Sequence, residues 1–183
     1  MTPGERERAI HALDESRERL LATVQRLSPS QLAYKPAADR WSVAECVEHI
    51  IVVEQAVLGR ITGALQQPTD ATQHSAFEGS DEPLVERVTD RTQKVQAPEM
   101  IHPTGRWPHD RLLAEFRTAR GRTSDFAAKT DADLRRHLTA HPRLGPLDCY
   151  QWLLLIAAHG ERHRAQAEEV MASAGFPRAA SAS

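Results

Sequence analysis

DCYQWLLLIAAHGERHRAQAEEV, residues 148–170, opens on an acidic cap and continues as an apolar run into which two histidines are set four residues apart. Asp148 is a good N-cap residue, and Gly175 and Pro177 are stop signals, so the spacing predicts a final helix reaching about Ala174. On a wheel of 100° per residue, Trp152, Leu155, Ile156, His163, Gln166 and Val170 fall within about 60° of His159. Both imidazoles therefore share the core-facing side. A polar group buried without a partner costs about 1–3 kcal/mol, so two on one face ask for a common explanation.

Three further segments have the same helical period. PGERERAIHALDESRERLLATVQRL carries Ile10, Leu13, Leu20, Leu21, Val24 and Leu27 on one side, with Thr2 and Pro3 as cap and first turn. WSVAECVEHIIVVEQAVLGRITGALQQ starts a second helix near residue 42, where Ser42 and Glu45 match a capping box. A third helix is predicted from about His109 to Ala128, with Leu112, Leu113, Phe116, Ala119 and Phe126 near one face.

Residues 67–108 are interrupted by five prolines; only Leu84–Val95 reads as helical there. SPSQLAYKPAADR and HPRLGPLD read as loops, TDADLRR as a short capped turn, and strand-like alternation is missing. The pattern predicts an all-α chain, with four long helices in one bundle and a long irregular connection between the second and third. With 183 residues it fits one domain, over 1–176, followed by a disordered tail at 177–183.

Lys plus Arg total 23 against 25 Asp plus Glu, a net charge of -2, which offers no basic field for nucleic acid. No apolar run approaches the roughly 20 residues of a membrane helix, and no secretory leader opens the chain, so a cytoplasmic protein without membrane partners is expected. Two cysteines without a C-x-x-C pair, Cys46 and Cys149, read as small packing residues.

The second helix supplies a third inward imidazole. Around His49 the wheel groups Ser42, Glu45, Cys46, Val52, Val53 and Ala56. Any one of these histidines alone reads as a hydrogen-bonded core residue; three facing inward from two helices read as a metal site. Three neutral imidazoles can hold a divalent transition metal with coordination positions left open. Glu161 lies about 200° from His159, on the solvent side, and Gly160 stands where a zincin has its glutamate, so a zincin reading fails. His137 and His141 repeat the four-residue spacing, but Pro142 disfavours a helix there, and both read as loop or surface residues.

Two other side chains are candidates for chemistry. Glu45, one turn before His49, is a proton acceptor or ligand-orienting group in one reading and the capping-box glutamate in the other. Arg17 interrupts the apolar stripe of the first helix; it either anchors an anionic substrate or lays its stem over the core with its guanidinium in water.

RWSVAECVEHI and LLLIAAHGERHRAQ, in that order, resemble the DinB-like superfamily, which includes the YfiT-type metal-dependent hydrolases. The first is similar to the family's W-S-x-x-E pattern followed by His, the second to its H-x-x-x-H-x-x-Q pattern. The resemblance implies an up-down four-helix bundle and a metal, zinc or nickel, held by His49, His159 and His163. It also implies a frequent homodimer and a small-molecule substrate, with a low-molecular-weight thiol among the partners of some members. The expected function is metal-dependent hydrolysis or thiol S-transfer, through a water or thiol activated at the three-histidine site. The alternative is a metal- or small-ligand-binding stress-related bundle without turnover.

Overall fold

A computed structural model of the chain describes residues 1–70, 72–92 and 96–178. Four long helices dominate it: α1 (Pro3–Val24), α3 (Val43–Ala64), α5 (His109–Lys129) and α6 (Cys149–Met171), with the short helices α2 (Pro29–Ala33) and α4 (Glu82–Thr89) between them. Three of the long helices start where local chemistry says they should. Thr2, Ser42 and Asp148 each accept the backbone N–H three residues on, and the side chains of Glu5, Glu45 and Gln151 reach back to the cap N–H.

α1 packs against α5 and α6, and α3 packs against the same two, so α1 and α3 sit diagonally. Arg6 bonds the Ala127 carbonyl and Arg120 the Leu13 carbonyl, which sets α1 and α5 antiparallel. His49 lies against His163, and Arg60 over Trp152, so α3 and α6 are antiparallel as well. The successive helices α1 and α3 run in opposite senses. The long connection then carries the chain back along the bundle, and α5 runs parallel to α3.

The core divides into two apolar clusters. One joins Leu13, Val57, Ile61 and Leu84 to the first half of α6; the other joins Leu20, Val24, Val47, Ile50, Leu112 and Phe116 to Ala167 and Val170. Also in the interior, the wholly buried Arg120 makes a two-pronged ion pair with Glu54 (Nε–Oε1 2.8 Å, Nη2–Oε2 3.0 Å) and donates to the Leu13 carbonyl at 2.6 Å. This ties α1, α3 and α5 together. A Cβ on Gly160 would lie 2.7 Å from Ser16 Oγ, so a larger residue there would displace the Ser16 hydroxyl from Arg120 or push α6 away from α1.

Two segments read as loops are structured. Ser28 and Gln31 form a capping box that starts α2, and Leu138–His141 pairs antiparallel with Gly145–Asp148 as the hairpin β1–β2, with Gly145 at φ +81°. The expected Leu84–Val95 helix is α4, which starts two residues earlier and ends at Thr89; its last expected residues, 93–95, lie outside the described residues, as do 179–183 of the tail. Asp133 caps a single 3-10 turn over Leu134–Arg136. No helix among the described residues is long and apolar enough to cross a membrane.

Candidate metal centre

The capping boxes of α3 and α6 fix where each helix begins, and the antiparallel packing then brings His49 opposite His159 and His163. The ring centroids are 4.4 Å apart for His159–His163, 4.5 Å for His49–His163 and 5.0 Å for His49–His159. One ligand nitrogen from each ring lies within 4.8 Å of the others. His49 and His163 are buried and His159 is half-buried.

Burial disfavours the charged imidazolium. Desolvation lowers His49 from its ordinary value, and it pushes His163, aided by the positive influence of His49, down to about 3. His159 is held well below the ordinary value by burial and then by His163 and His49. All three are therefore neutral at pH 7, the form in which imidazole is a ligand.

Two of the rings have their tautomers set. His49 Nδ1 donates to the Ile101 carbonyl at 2.8 Å, and His163 Nδ1 donates to Gln166 Oε1 at 2.8 Å. A proton on Nδ1 leaves the lone pair on Nε2, which is how metal-ligating histidines are usually oriented. These neutral, pre-oriented nitrogens suit a divalent transition ion; their chemistry fits the metal that the motif implies.

The Ile101 carbonyl is brought there by Glu48, the residue before His49. Its buried carboxylate accepts the backbone N–H of Thr104 (2.7 Å), Gly105 (2.9 Å) and Arg106 (3.3 Å), drawing residues 101–106 of the long connection onto α3. Gly105, at φ +74°, supplies the backbone turn. Trp41 covers the same side, with its ring 4.7 Å from His49 and 5.8 Å from His163.

The structure places the other sequence candidates elsewhere. Glu45 accepts the Ser42 N–H at 2.7 Å and Lys35 Nζ at 2.9 Å, so both oxygens are engaged at the helix start. Arg17 pairs with Asp14 and Glu18 on its own helix. Burial pushes the Cys46 thiol up to about 12, which keeps it protonated. His137 Nδ1 bonds the Ala64 carbonyl, and His141 lies in β1 with its ring 5.3 Å from Trp152. Sequence reasoning missed the parts played by Glu48 and Ile101, because a backbone partner more than fifty residues away leaves no periodic signal. Gln166 was visible as part of the motif.

The family model of the DinB superfamily matches residues 12–167 of this chain. A curated relative, the uncharacterized protein YuaE of Bacillus subtilis (strain 168), is 26% identical over 150 residues, covering 79% of this chain and 85% of the relative. Among solved structures, YfiT from Bacillus subtilis superposes with a TM-score of 0.63 at 18% identity, over 97% of this chain and 91% of its own. That protein is described as "a probable metal-dependent hydrolase with an unusual four-helix bundle topology", and at this identity the likeness speaks for the fold. With the family model spanning both histidine motifs and reaching into all four long helices, the chain belongs to the DinB superfamily.

Proposed function

We propose that this protein is a metal-dependent enzyme, a hydrolase or thiol S-transferase, whose reaction centre is the His49–His159–His163 cluster. The observation that carries this reading is the convergence of three neutral imidazoles, two of them with Nδ1 bonded to the protein and Nε2 left as donor. A divalent ion there, zinc or nickel, would supply Lewis acidity and lower the pKa of a water or thiol. The protein's own part is orientation. The Ile101 carbonyl and Gln166 hold two rings, Trp41 and the apolar faces of α3 and α6 exclude bulk water, and the half-buried His159 is the edge through which a substrate reaches the cluster.

The test begins with elemental analysis of tag-free protein, beside His49→Ala, His159→Ala and His163→Ala. About one equivalent of metal is expected in the parent, and each substitution should weaken binding by more than about 100-fold, beyond the loss usual for an orienting residue. Stoichiometric metal in all three variants would sink the assignment. The loaded protein is then offered esters, amides, and activated electrophiles with several thiols. Turnover only with thiol present identifies transfer, turnover without it hydrolysis, and none across the panel leaves a metal-binding bundle without catalysis.

A further inference from the structure

The stripe of α3 that carries His49 continues three turns on to Arg60, and the stripe of α6 that carries His159 contains Trp152 two turns earlier. These two ends meet: the Arg60 guanidinium lies over the Trp152 ring, 5.2 Å from its centroid. Arg60 Nη1 donates to Thr139 Oγ1 at 3.2 Å and to the Ala140 carbonyl at 3.3 Å, so hairpin and indole together fix the plane of the fork. Its Nε and Nη2 carry no hydrogen bond among the described residues. That edge is the one that takes a carboxylate with two parallel bonds.

His141 adds a neutral donor on the same indole. Its Nδ1 accepts the backbone N–H of Arg143 (3.2 Å) and Leu144 (3.1 Å), which puts the ring proton on Nε2. Burial, then Arg60 and Arg143, push its pKa down to about 4, so it stays neutral. Among the described residues neither Arg60 nor Arg143 has a carboxylate partner.

We propose that Arg60, Arg143 and the Nε2–H of His141 form an anion subsite at Trp152, about 10 Å along α6 from His159, which holds a carboxylate group of the substrate. This rests on the cluster being the reaction centre, and it names the substrate class: a small molecule with a carboxylate displaced from its reacting bond. Arg60 is the principal anchor, Arg143 adds charge from the turn, and His141 adds direction.

The test uses metal-free, full-length protein, so that the anion cannot bind a metal instead. Succinate is titrated at constant ionic strength against its neutral diamide, following the Trp152 indole N–H by nitrogen-15 NMR. A saturable shift with succinate and none with the diamide is expected, weakened at least 10-fold in Arg60→Gln, several-fold in Arg143→Gln, and unchanged in His49→Ala. Equal responses to the two probes, or undiminished binding in Arg60→Gln, would overturn the subsite. Because His49→Ala removes a proposed metal ligand and leaves the subsite intact, failure of the metal centre and failure of the subsite are read separately. In the loaded protein, substrates bearing a carboxylate should show a lower KM than their amides, and Arg60→Gln should erase that difference.

Discussion

The two ends of α6 bury polar side chains in opposite ways. At its N-terminus Arg135 donates to Glu5 (2.8 Å), Asp148 (2.9 Å) and Asp81 (2.8 and 2.9 Å), lies over the Tyr150 ring at 4.2 Å, and is joined by Gln151, which bonds both Asp81 and Asp148. The three carboxylates share the one guanidinium, and each is hydrogen-bonded inside the network. Eleven residues on, His159 and His163 meet His49 without a carboxylate among them, and the Nδ1 bonds of His49 and His163 leave Nε2 as the free donor on each ring. A closed network fixes α1, α4 and α6 to one another; an open set of lone pairs is arranged for something outside the chain.

Acid separates the two ends most strongly. In metal-free protein the three imidazoles have folded pKa values below the unfolded value of about 6.5. Between those limits the unfolded chain binds more protons than the native one, so the free energy of unfolding rises with pH. The contribution is fully present above about pH 6.5 and is lost as pH falls toward about 3 for His163. From pH 7 to 5, His163 alone should remove about 2 kcal/mol, with His49 and His159 acting in the same direction.

The Arg135 end responds lower. Burial, which raises the Asp81 carboxyl, is outweighed by hydrogen bonds from Arg135 and Gln151, so its stabilisation persists until pH falls below about 4; burial raises Asp148 and partly offsets this. Denaturant unfolding of metal-free protein at pH 7, 6 and 5 checks the order. The loss should come before pH 5 and shrink in His163→Ala. A flat profile over that interval would contradict the neutral, desolvated cluster.

Removing the hub of the closed network is the next largest effect. Breaking a fully buried ion pair costs about 3–5 kcal/mol, and since the Arg135 side chain is 31% exposed, Arg135→Ala should cost about 2 kcal/mol. Asp148 lies about 16 Å along the helix axis from His159, so metal content should not change. A drop in metal occupancy on this substitution, at a temperature where the variant is folded, would mean that the two ends are coupled.

What could be read in the sequence follows the range of each interaction. Thr2, Ser42 and Asp148 announce their helices because a cap and its acceptor lie three residues apart, and the inward direction of the histidines follows from the helical period alone. Ser28 and Gln31 form the same box, but a proline suits the end of one helix as well as the first turn of the next, so Pro29 leaves the start of α2 ambiguous. The Arg120–Glu54 pair, the hold of Glu48 on residues 104–106 and the register of β1–β2 could not be read. The first two join residues 66 and 56–58 apart, and the hairpin strands are four residues each without apolar alternation. His141 reads as a loop residue for a related reason: Pro142 disfavours a helix, and only the folded hairpin brings its ring against Trp152.

The smallest effect bears on what makes the open cluster open. Gln166 is a neutral partner that holds the Nδ1–H of His163, one turn along α6. Gln166→Ala removes that acceptor while leaving the ligand nitrogen in place, so the ring is free to rotate and to exchange tautomers. Losing such an orienting partner typically weakens metal binding 10- to 100-fold, and because Gln166 is only half-buried the lower end, about 10-fold, is expected, with fold stability within about 0.5 kcal/mol of the parent. Gln166→Glu should keep the acceptor and most of the affinity. Competition with a chelator measures both. Equal affinity for the alanine variant and the parent would mean that α6 packing alone orients His163, and that the glutamine of the motif serves the surface rather than the metal centre.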